Sequence, residues 1–447
     1  MNIESKNYIF VLGREVELCL EEIRAVLPRF FCDWRILSVA DNCANINIVA
    51  SREKVANLMN ILAGTTKIYE LNVCNTTIAK HVTKRFQIHL DNSTNLSKKI
   101  DFSLSSFVPE YNINGINKLG FGVKKESKFV GISTRFIELR DDKEASSAMI
   151  VGNKLIGKGF EFGLFKDNGK MCLGELIAVS DPNGWSLRDY GKPRGDKRSG
   201  MLPPKLARMM INLALGKGRG LIDDQCQSAE NIEQVFEVDR KSTIVIDPFC
   251  GSGNVLIEAL LEGFNVFGSD ISAKAVDDTK VNIDWLKSNE KFQISDSSIS
   301  SDVMQFDATS DEYIKYLEKI ATKYQNLVFV GEPYLGEPKK FKPSENAIAG
   351  EYRKIYELYL AFFQNVAKFM NSDTGKNTIK SATFCIVFPL VEAVDGRKYS
   401  LLAKSVDEIK KIGYIVKQRS LLYGRDYQVV KREIALFTYI NDNIDRN

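Results

Sequence analysis

Histidine is nearly absent from this sequence: His81 and His89 are the only two in 447 residues, and both lie in the stretch HVTKRFQIH. Ser-His-Asp hydrolysis and His-ligated metal sites therefore have almost no material to draw on. The eight cysteines stand singly, at positions 19, 32, 43, 74, 172, 226, 250 and 385. With no CxxC pair or knuckle spacing for zinc or an iron-sulfur cluster, no metal is expected, and the cysteines read as reduced cytosolic thiols. No segment approaches the roughly 20 uninterrupted apolar residues that span a bilayer, and the opening MNIESKNYIFVLGREVELC mixes acids and bases. A soluble, cytoplasmic chain with no membrane partner is the expectation. An excess of one charge is lacking too, since 61 Lys and Arg against 57 Asp and Glu leave only +4.

What remains is an ordinary globular composition, 44% hydrophobic and 26% charged, with a length that suggests about three domains. YIFVLGREVELCLEEIRAVL runs from an apolar strand through a Gly turn into a pattern that places Val16, Leu20, Ile23 and Leu27 on one helical face. ANINIVA and REKVANLMNILAG continue this α+β texture to about residue 70. From 71 to 185 the text reads as short strands between basic or Gly-containing turns: FGVKKESKFVGIS, MIVGNKLIGKGFEFGLF, CLGELIAVS. Residues 186–200 read as a Gly- and Pro-containing linker, and a helix starts near Pro203. Beyond it, apolar strands alternate with helices, as a parallel α/β sheet requires. Between Arg188 and Arg219 nine Lys and Arg face two Asp, a local excess of seven that exceeds the charge of the whole chain. Within it Arg194, Lys197 and Arg198 are candidate contacts to a phosphate backbone.

The most informative string is STIVIDPFCGSGNVLIEAL, a β-branched strand, then Asp247, Pro248, Phe249, Cys250, Gly251, Ser252 and Gly253, then a Leu-rich helix. Glycines in such a turn let a ligand approach the backbone because no Cβ intervenes. Seventeen residues on, FNVFGSDIS ends its strand in Asp270, where an acid can accept both hydroxyls of an adenosyl ribose. Asp307 in MQFDAT ends the next strand, and its carboxylate or the Ala308 N–H can meet an adenine amino edge. Singly, each aspartate reads as a turn former or helix cap. Spaced one per βα unit, they read as a binding crevice. The fourth strand ends in VFVGEPYLGEP, where Glu332, Pro333 and Tyr334 combine an acceptor, a rigid turn and an aromatic face. Carboxylate and carbonyl acceptors there can hold the hydrogens of an exocyclic amine while the base stacks on Tyr334.

These motifs together resemble the THUMP-containing tRNA guanine-N2-methyltransferases, the family that modifies G10. DPFCGSG is similar to that family's first motif, and GMLPPKLARMMINLA to the helix before it. Asp270 and Asp307 stand at its second and third motifs, and LLYGRDYQVVKREIALF resembles its closing β-hairpin. YIFVLGREVELCLEEIRAVL and SSAMIVGNKLIGKGFEFGL are similar to its ferredoxin-like and THUMP segments, so the resemblance spans nearly the whole chain. It implies an α/β protein with a ferredoxin-like domain over 1–70, a THUMP-like RNA-binding domain over 71–185, a linker over 186–200 and a Rossmann-like class I methyltransferase domain over 201–447. It implies S-adenosyl-L-methionine as cofactor, bound by Asp247, Pro248, Cys250, Gly251, Gly253, Asp270, Asp307 and Ala308. It implies tRNA as partner, held partly by Arg194, Lys197 and Arg198, and methyl transfer to guanine N2 at Glu332, Pro333 and Tyr334. Whether the chain acts as a monomer or needs a small activator subunit stays open.

Two positions depart from the family. Its fourth motif is Asp-Pro-Pro-Tyr, where this chain has Gly331, Glu332, Pro333 and Tyr334, and Asn254 stands where Thr or Ser is common. Two other readings stay open on these motifs. One is a DNA amino-methyltransferase acting on adenine N6 or cytosine N4. The other is a catalytically inactive RNA-binding relative.

Overall fold

A computed structural model of the chain describes residues 5–74, 77–92, 99–167, 169–195, 201–216, 238–292, 294, 298–417, 420–425 and 427–439. They fall into two compact units. The first holds the described residues up to Val16 together with Phe31–Trp185, and the second holds Glu17–Phe30 and the described residues from Ser186 onward.

The chain opens with β1 (Ser5–Leu12), α1 (Val16–Val26), β2 (Trp34–Ala40), β3 (Cys43–Val49), α2 (Arg52–Asn57) and β4 (Thr65–Cys74). This is the βαββαβ order of a ferredoxin-like motif, paired antiparallel as β2-β3-β1-β4. The sheet does not stop there. It continues from β4 through β8 (Lys170–Val179) and β7 (Phe160–Asp167) to β5 (Ile100–Ser106) and β6 (Thr134–Phe136), eight strands in all. The helices of this second half are α3 (Ile78–Asp91), α4 (Ile113–Phe129) and α5 (Ser147–Gly152). Phe86, Phe102, Phe160 and Phe162 are buried together in its core.

Three expectations are corrected. FGVKKESKFVGIS is not a strand but largely the second half of α4, which Asn112 caps by accepting the Gly115 N–H at 2.9 Å. The decisive pattern is Ile116, Gly120, Val123 and Ser127, one buried face at helical spacing, with Gly120 leaving room where a Cβ would lie 2.2 Å from the Phe136 ring. In α1 the buried stripe is Leu18, Cys19, Glu22, Ile23 and Val26 rather than the face through Leu20, because Glu22 turns inward to accept the Asn212 amide at 2.8 Å. Nor are the cysteines all single thiols: Cys74 and Cys172, opposite each other on β4 and β8, form a disulfide.

The second unit begins with α6 (Pro182–Tyr190), which straddles the division, and α7 (Pro204–Leu215). Then come β9 (Thr243–Asp247), α8 (Asn254–Leu261), β10 (Asn265–Asp270), α9 (Ala273–Ser288), β11 (Ser301–Gln305), α10 (Asp311–Ala321) and β12 (Asn326–Gly331). The chain closes through α11 (Glu345–Asn371), α12 (Asp373–Thr378), β13 (Ser381–Glu392), β14 (Lys398–Ser400), α13 (Leu401–Lys411), β15 (Tyr414–Val416), β16 (Leu421–Tyr423) and β17 (Val430–Tyr439). The sheet order is β11-β10-β9-β12-β13-β17-β15, with β14 on β13 and β16 on β17. β9 to β13 are parallel and β17 is antiparallel. This is the parallel α/β sheet that the alternating pattern predicts, in the Rossmann-like form that the resemblance implies. Its order reverses between β9 and β12, and ligands of such sheets bind outside the carboxyl ends at that reversal. No helix among the described residues is long and apolar enough to cross a membrane.

One buried acid in the first unit makes its stability depend on pH. Glu161 on β7 is 1% exposed and accepts the Ser105 hydroxyl, and burial pushes its carboxyl up to about 8 against the pull of Lys67 and Ser105. The folded protein keeps a proton that the unfolded chain, with a carboxyl near 4.3, releases above about pH 5. The contribution is therefore full below about pH 4 and is lost as pH rises to about 8. Glu161→Gln keeps the shape without the titration. Its unfolding temperature should exceed wild type at about pH 7.5, with a flatter profile between about pH 5 and 8. Parallel wild-type and variant profiles would exclude this role.

Candidate active site

β9 carries Asp247 to the carboxyl edge of the sheet, and the turn to α8 follows at once. Gly251 (φ +51°) and Gly253 (φ +85°) take left-handed conformations that side chains resist. A Cβ on Gly251 would meet nothing within 4 Å, so the turn faces open space there, whereas one on Gly253 would strike the Thr279 methyl at 2.8 Å. Gly253 is required by the fold, and Gly251 leaves backbone free for a ligand. The Cys250 thiol is buried, with the Thr279 hydroxyl donating to it at 3.7 Å, and the Cys250 N–H donates to the Ser269 carbonyl at 2.8 Å. Pro248 is buried behind the turn, its carbonyl accepting the Ser269 hydroxyl at 3.3 Å.

Asp270 is the last residue of β10. Its two carboxylate oxygens accept the Gly251 N–H at 3.0 Å and the Ser272 N–H at 2.9 Å. These bonds fix the carboxylate beside the glycine turn while each oxygen retains acceptor capacity. Asp307 lies two residues beyond β11 and is exposed. One of its oxygens takes both the N–H (2.8 Å) and the hydroxyl (2.7 Å) of Thr309. The turn-former role and the crevice position thus coexist in this residue. The next residue, Ala308, is buried, and its carbonyl accepts the Asn365 amide at 3.0 Å.

β12 lies directly beside β9 and ends at Gly331, where a Cβ would stand 2.8 Å from Oδ1 of Asp247. Asp247 is 3% exposed and also accepts the Phe249 N–H at 3.0 Å. Burial chiefly, and the negative Asp270 and Glu332 after it, hold its carboxyl well above the ordinary range against that hydrogen bond. Glu332 follows, with Pro333 buried beside it. The Tyr334 ring is 51% exposed, and its hydroxyl donates to Glu337 at 3.0 Å.

Two residues of the site carried no sequence signal. Arg432 on β17 grips Glu332 with a two-pronged pair, Nε to Oε2 and Nη2 to Oε1, the latter at 3.0 Å. Both side chains are nearly covered, Arg432 at 12% and Glu332 at 14% exposed. Burial raises the Glu332 carboxyl and Arg432 draws it back part of the way. A hundred residues separate the partners, so only the pairing of β12, β13 and β17 reveals them. The second is Lys192, 6% exposed, whose ammonium donates to the Ser252 hydroxyl at 3.1 Å and to the Asn254 side-chain oxygen. Asn254 also donates to the Leu202 carbonyl at 2.6 Å, which accounts for an amide where the family carries a hydroxyl.

The basic segment proves less available than its charge suggests. Arg188 (2.6 Å) and Arg208 (2.8 Å) both pair with Glu258, which is fully buried on α8. Arg194 remains exposed at 59%, its backbone N–H bound to Asn282 at 2.9 Å and its guanidinium 3.8 Å from Asp278. Lys197 and Arg198 lie outside the described residues. Among the described residues no group of three or more His, Cys, Asp or Glu side chains could hold a metal.

No family model matches the chain. Curated relatives do. A protein of Methanocaldococcus jannaschii is 31% identical over 173 residues, 38% of this chain and 35% of that one, and is named tRNA (guanine(10)-N2)-dimethyltransferase. Proteins with the same name from Methanothermobacter thermautotrophicus (38% over 120 residues, 26% of this chain and 27% of that one) and Pyrococcus abyssi (32% over 147 residues, 30% and 36%) also match. The chain resembles tRNA guanine-N2 methyltransferases. The matches span about a third of the length of these relatives. Solved structures matched along nearly the whole chain include TrmN from Thermus thermophilus, at 11% identity and a TM-score of 0.44 over 98% of this chain and 100% of that one. A possible methylase from Clostridium difficile matches at 11% and 0.46 over 99% and 100%.

The Arg432–Glu332 pair has a measurable consequence. Arg432→Met should leave a buried, unpaired carboxylate and lower stability in urea by about 3 kcal/mol. Adding Glu332→Gln to it should recover much of that loss, because no charge is then stranded. Equal losses in the single and double variants would mean that the two charges are not coupled.

Proposed function

We propose that this protein is a tRNA methyltransferase that places a methyl group from S-adenosyl-L-methionine on the exocyclic N2 of a guanine, with guanine 10 as its target, working in the cytoplasm. The observation that carries the reading is the gathering of Asp247, Asp270 and Glu332 around the Gly251 turn at the reversal of strand order. The Asp247 carboxyl, raised chiefly by burial and then by the nearby negative Asp270 and Glu332, marks a place that suits a cation, and the open space at Gly251 suits a ligand lying against backbone. S-adenosyl-L-methionine, when bound, supplies a sulfonium cation and an electrophilic methyl group. Asp270 then offers its remaining acceptor positions to the ribose hydroxyls, while Asp307 or the Ala308 N–H reads the adenine edge.

Glu332, held in place by Arg432, accepts a hydrogen of the guanine amine and so orients its lone pair toward the methyl group. Pro333 fixes the turn and the exposed Tyr334 ring stacks the base. The base must leave its stack to reach this position, at a cost of a few kcal/mol that phosphate contacts can offset. Arg194, Lys197 and Arg198 supply such contacts, and residues 71–185 act as the THUMP-like RNA platform. The names of the curated relatives support guanine 10 over a DNA base.

Labelled methyl transfer to an unmodified tRNA transcript, followed by mapping of the product, tests the reading. Transfer to plasmid DNA instead, or cofactor binding without any transfer, would overturn it. Asp270→Ala should weaken cofactor binding about ten- to a hundredfold, since it removes hydrogen bonds to a charged group worth roughly 1.5 to 3 kcal/mol. Glu332→Gln should lower the single-turnover rate while leaving cofactor affinity near wild type, as expected for an interaction used mainly in the transition state. A wild-type rate in Glu332→Gln would shift the acceptor role to a main-chain carbonyl of the same loop.

A further inference from the structure

Lys192 is a buried ammonium that, among the described residues, meets no carboxylate within ion-pair distance. Its neighbours in the basic segment, Arg188 and Arg208, each reach Glu258 within 3 Å. Lys192 instead spends two of its three N–H groups on neutral oxygens, those of Ser252 and Asn254. Among the described residues it forms no ion pair, and Asp189 and Glu258 act on it only from a distance. Burial pushes it down to about 8, so it remains mainly charged at neutral pH. A buried charge without a counter-ion is costly, and here the cost falls at one particular place. Ser252 stands between Gly251 and Gly253, and Asn254 is the first residue of α8, whose amino end adds its own positive field. The ammonium and the helix end together ask for an anion at the glycine turn, on the wall of the crevice whose other acids suit a cation.

We propose that Lys192 binds the α-carboxylate at the amino-acid end of the cofactor. This rests on the cofactor reading above and adds a residue, and a part of the ligand, that the Asp270 and Asp307 positions do not address. The acids then face the ribose and the sulfonium, and the anionic group of the ligand faces Lys192 at the glycine turn. Asn254 and Ser252 hold the ammonium in place, which is why the position tolerates a lysine so deeply covered.

Calorimetry on the full chain separates this role from a merely structural one. The probes are S-adenosylhomocysteine, which carries the carboxylate, and 5′-methylthioadenosine, which lacks the amino-acid carboxylate and amine but keeps the adenine and ribose. Wild type should prefer S-adenosylhomocysteine. Lys192→Met should weaken S-adenosylhomocysteine about ten- to a hundredfold and 5′-methylthioadenosine less than about twofold, the range for a hydrogen bond to a charged group. Lys192→Gln keeps neutral hydrogen bonding to Ser252 and Asn254, and it should show the same selective loss if Lys192→Met fails to fold. Equal weakening of both ligands, or of neither, would overturn the assignment and leave Lys192 as a staple between the basic segment and α8. Failure of wild type to bind either nucleoside would overturn the cofactor reading itself, and this assignment with it.

Discussion

The second unit is organised around one buried carboxylate. Glu258 is completely covered on α8 and is held by Arg188 of α6 and Arg208 of α7. Removing an ion from water is expensive, and the arrangement holds because two guanidinium groups approach one carboxylate with hydrogen bonds at 2.6 to 3.0 Å. The consequence is positional. α8 begins at the glycine turn, so fixing α8 against α6 and α7 fixes the turn, and with it the backbone that Asp270 contacts through the Gly251 N–H. Lys192 and Arg194, a few residues after Arg188, are brought to the same turn, Lys192 on Ser252 and Asn254 and the Arg194 N–H on Asn282.

The altered fourth motif follows from the neighbouring strand. A side chain at position 331 would place its Cβ 2.8 Å from the Asp247 carboxylate, so this position has room only for glycine while Asp247 points as it does. A carboxylate at 331 would also bring two acids into contact at a buried place. The acid therefore stands one residue later, beyond the close approach, and the longer Glu332 side chain reaches Arg432 on β17. Asp247 thus explains the glycine, and Arg432 explains the glutamate that follows it.

Much of this was legible in the sequence. The central strands β9, β10 and β12, the glycine turn and the acids at Asp247 and Asp270 follow from apolar runs ending in Gly or Asp, because a parallel sheet buries its inner strands on both faces and exposes only their ends. α4 was misread because Gly120 and Gly122 look like turn residues, yet Gly120 is small so that Phe136 can cover the helix. The α1 face was misplaced because a glutamate sits among its buried residues, and Cys74–Cys172 was missed because 98 residues separate the two. Arg432 and Lys192 were missed for a related reason: a basic residue in a basic stretch gives no hint that its charge is turned inward.

That last point changes what the basic segment is for. Its local excess of charge invites the view that it exists to meet phosphates, but three of its cations serve the interior. Arg188 and Arg208 neutralise Glu258, and Lys192 sits covered at the glycine turn. Among the described residues, Arg194 is a cation of this segment that stays largely in solvent, and even its backbone is bound to α9. A charge used to fix α8 cannot also be released to a nucleic acid without loosening the turn. The segment is therefore better understood as the clamp that shapes the glycine turn, and the proposed phosphate contacts can draw only on the side chains that the clamp does not consume.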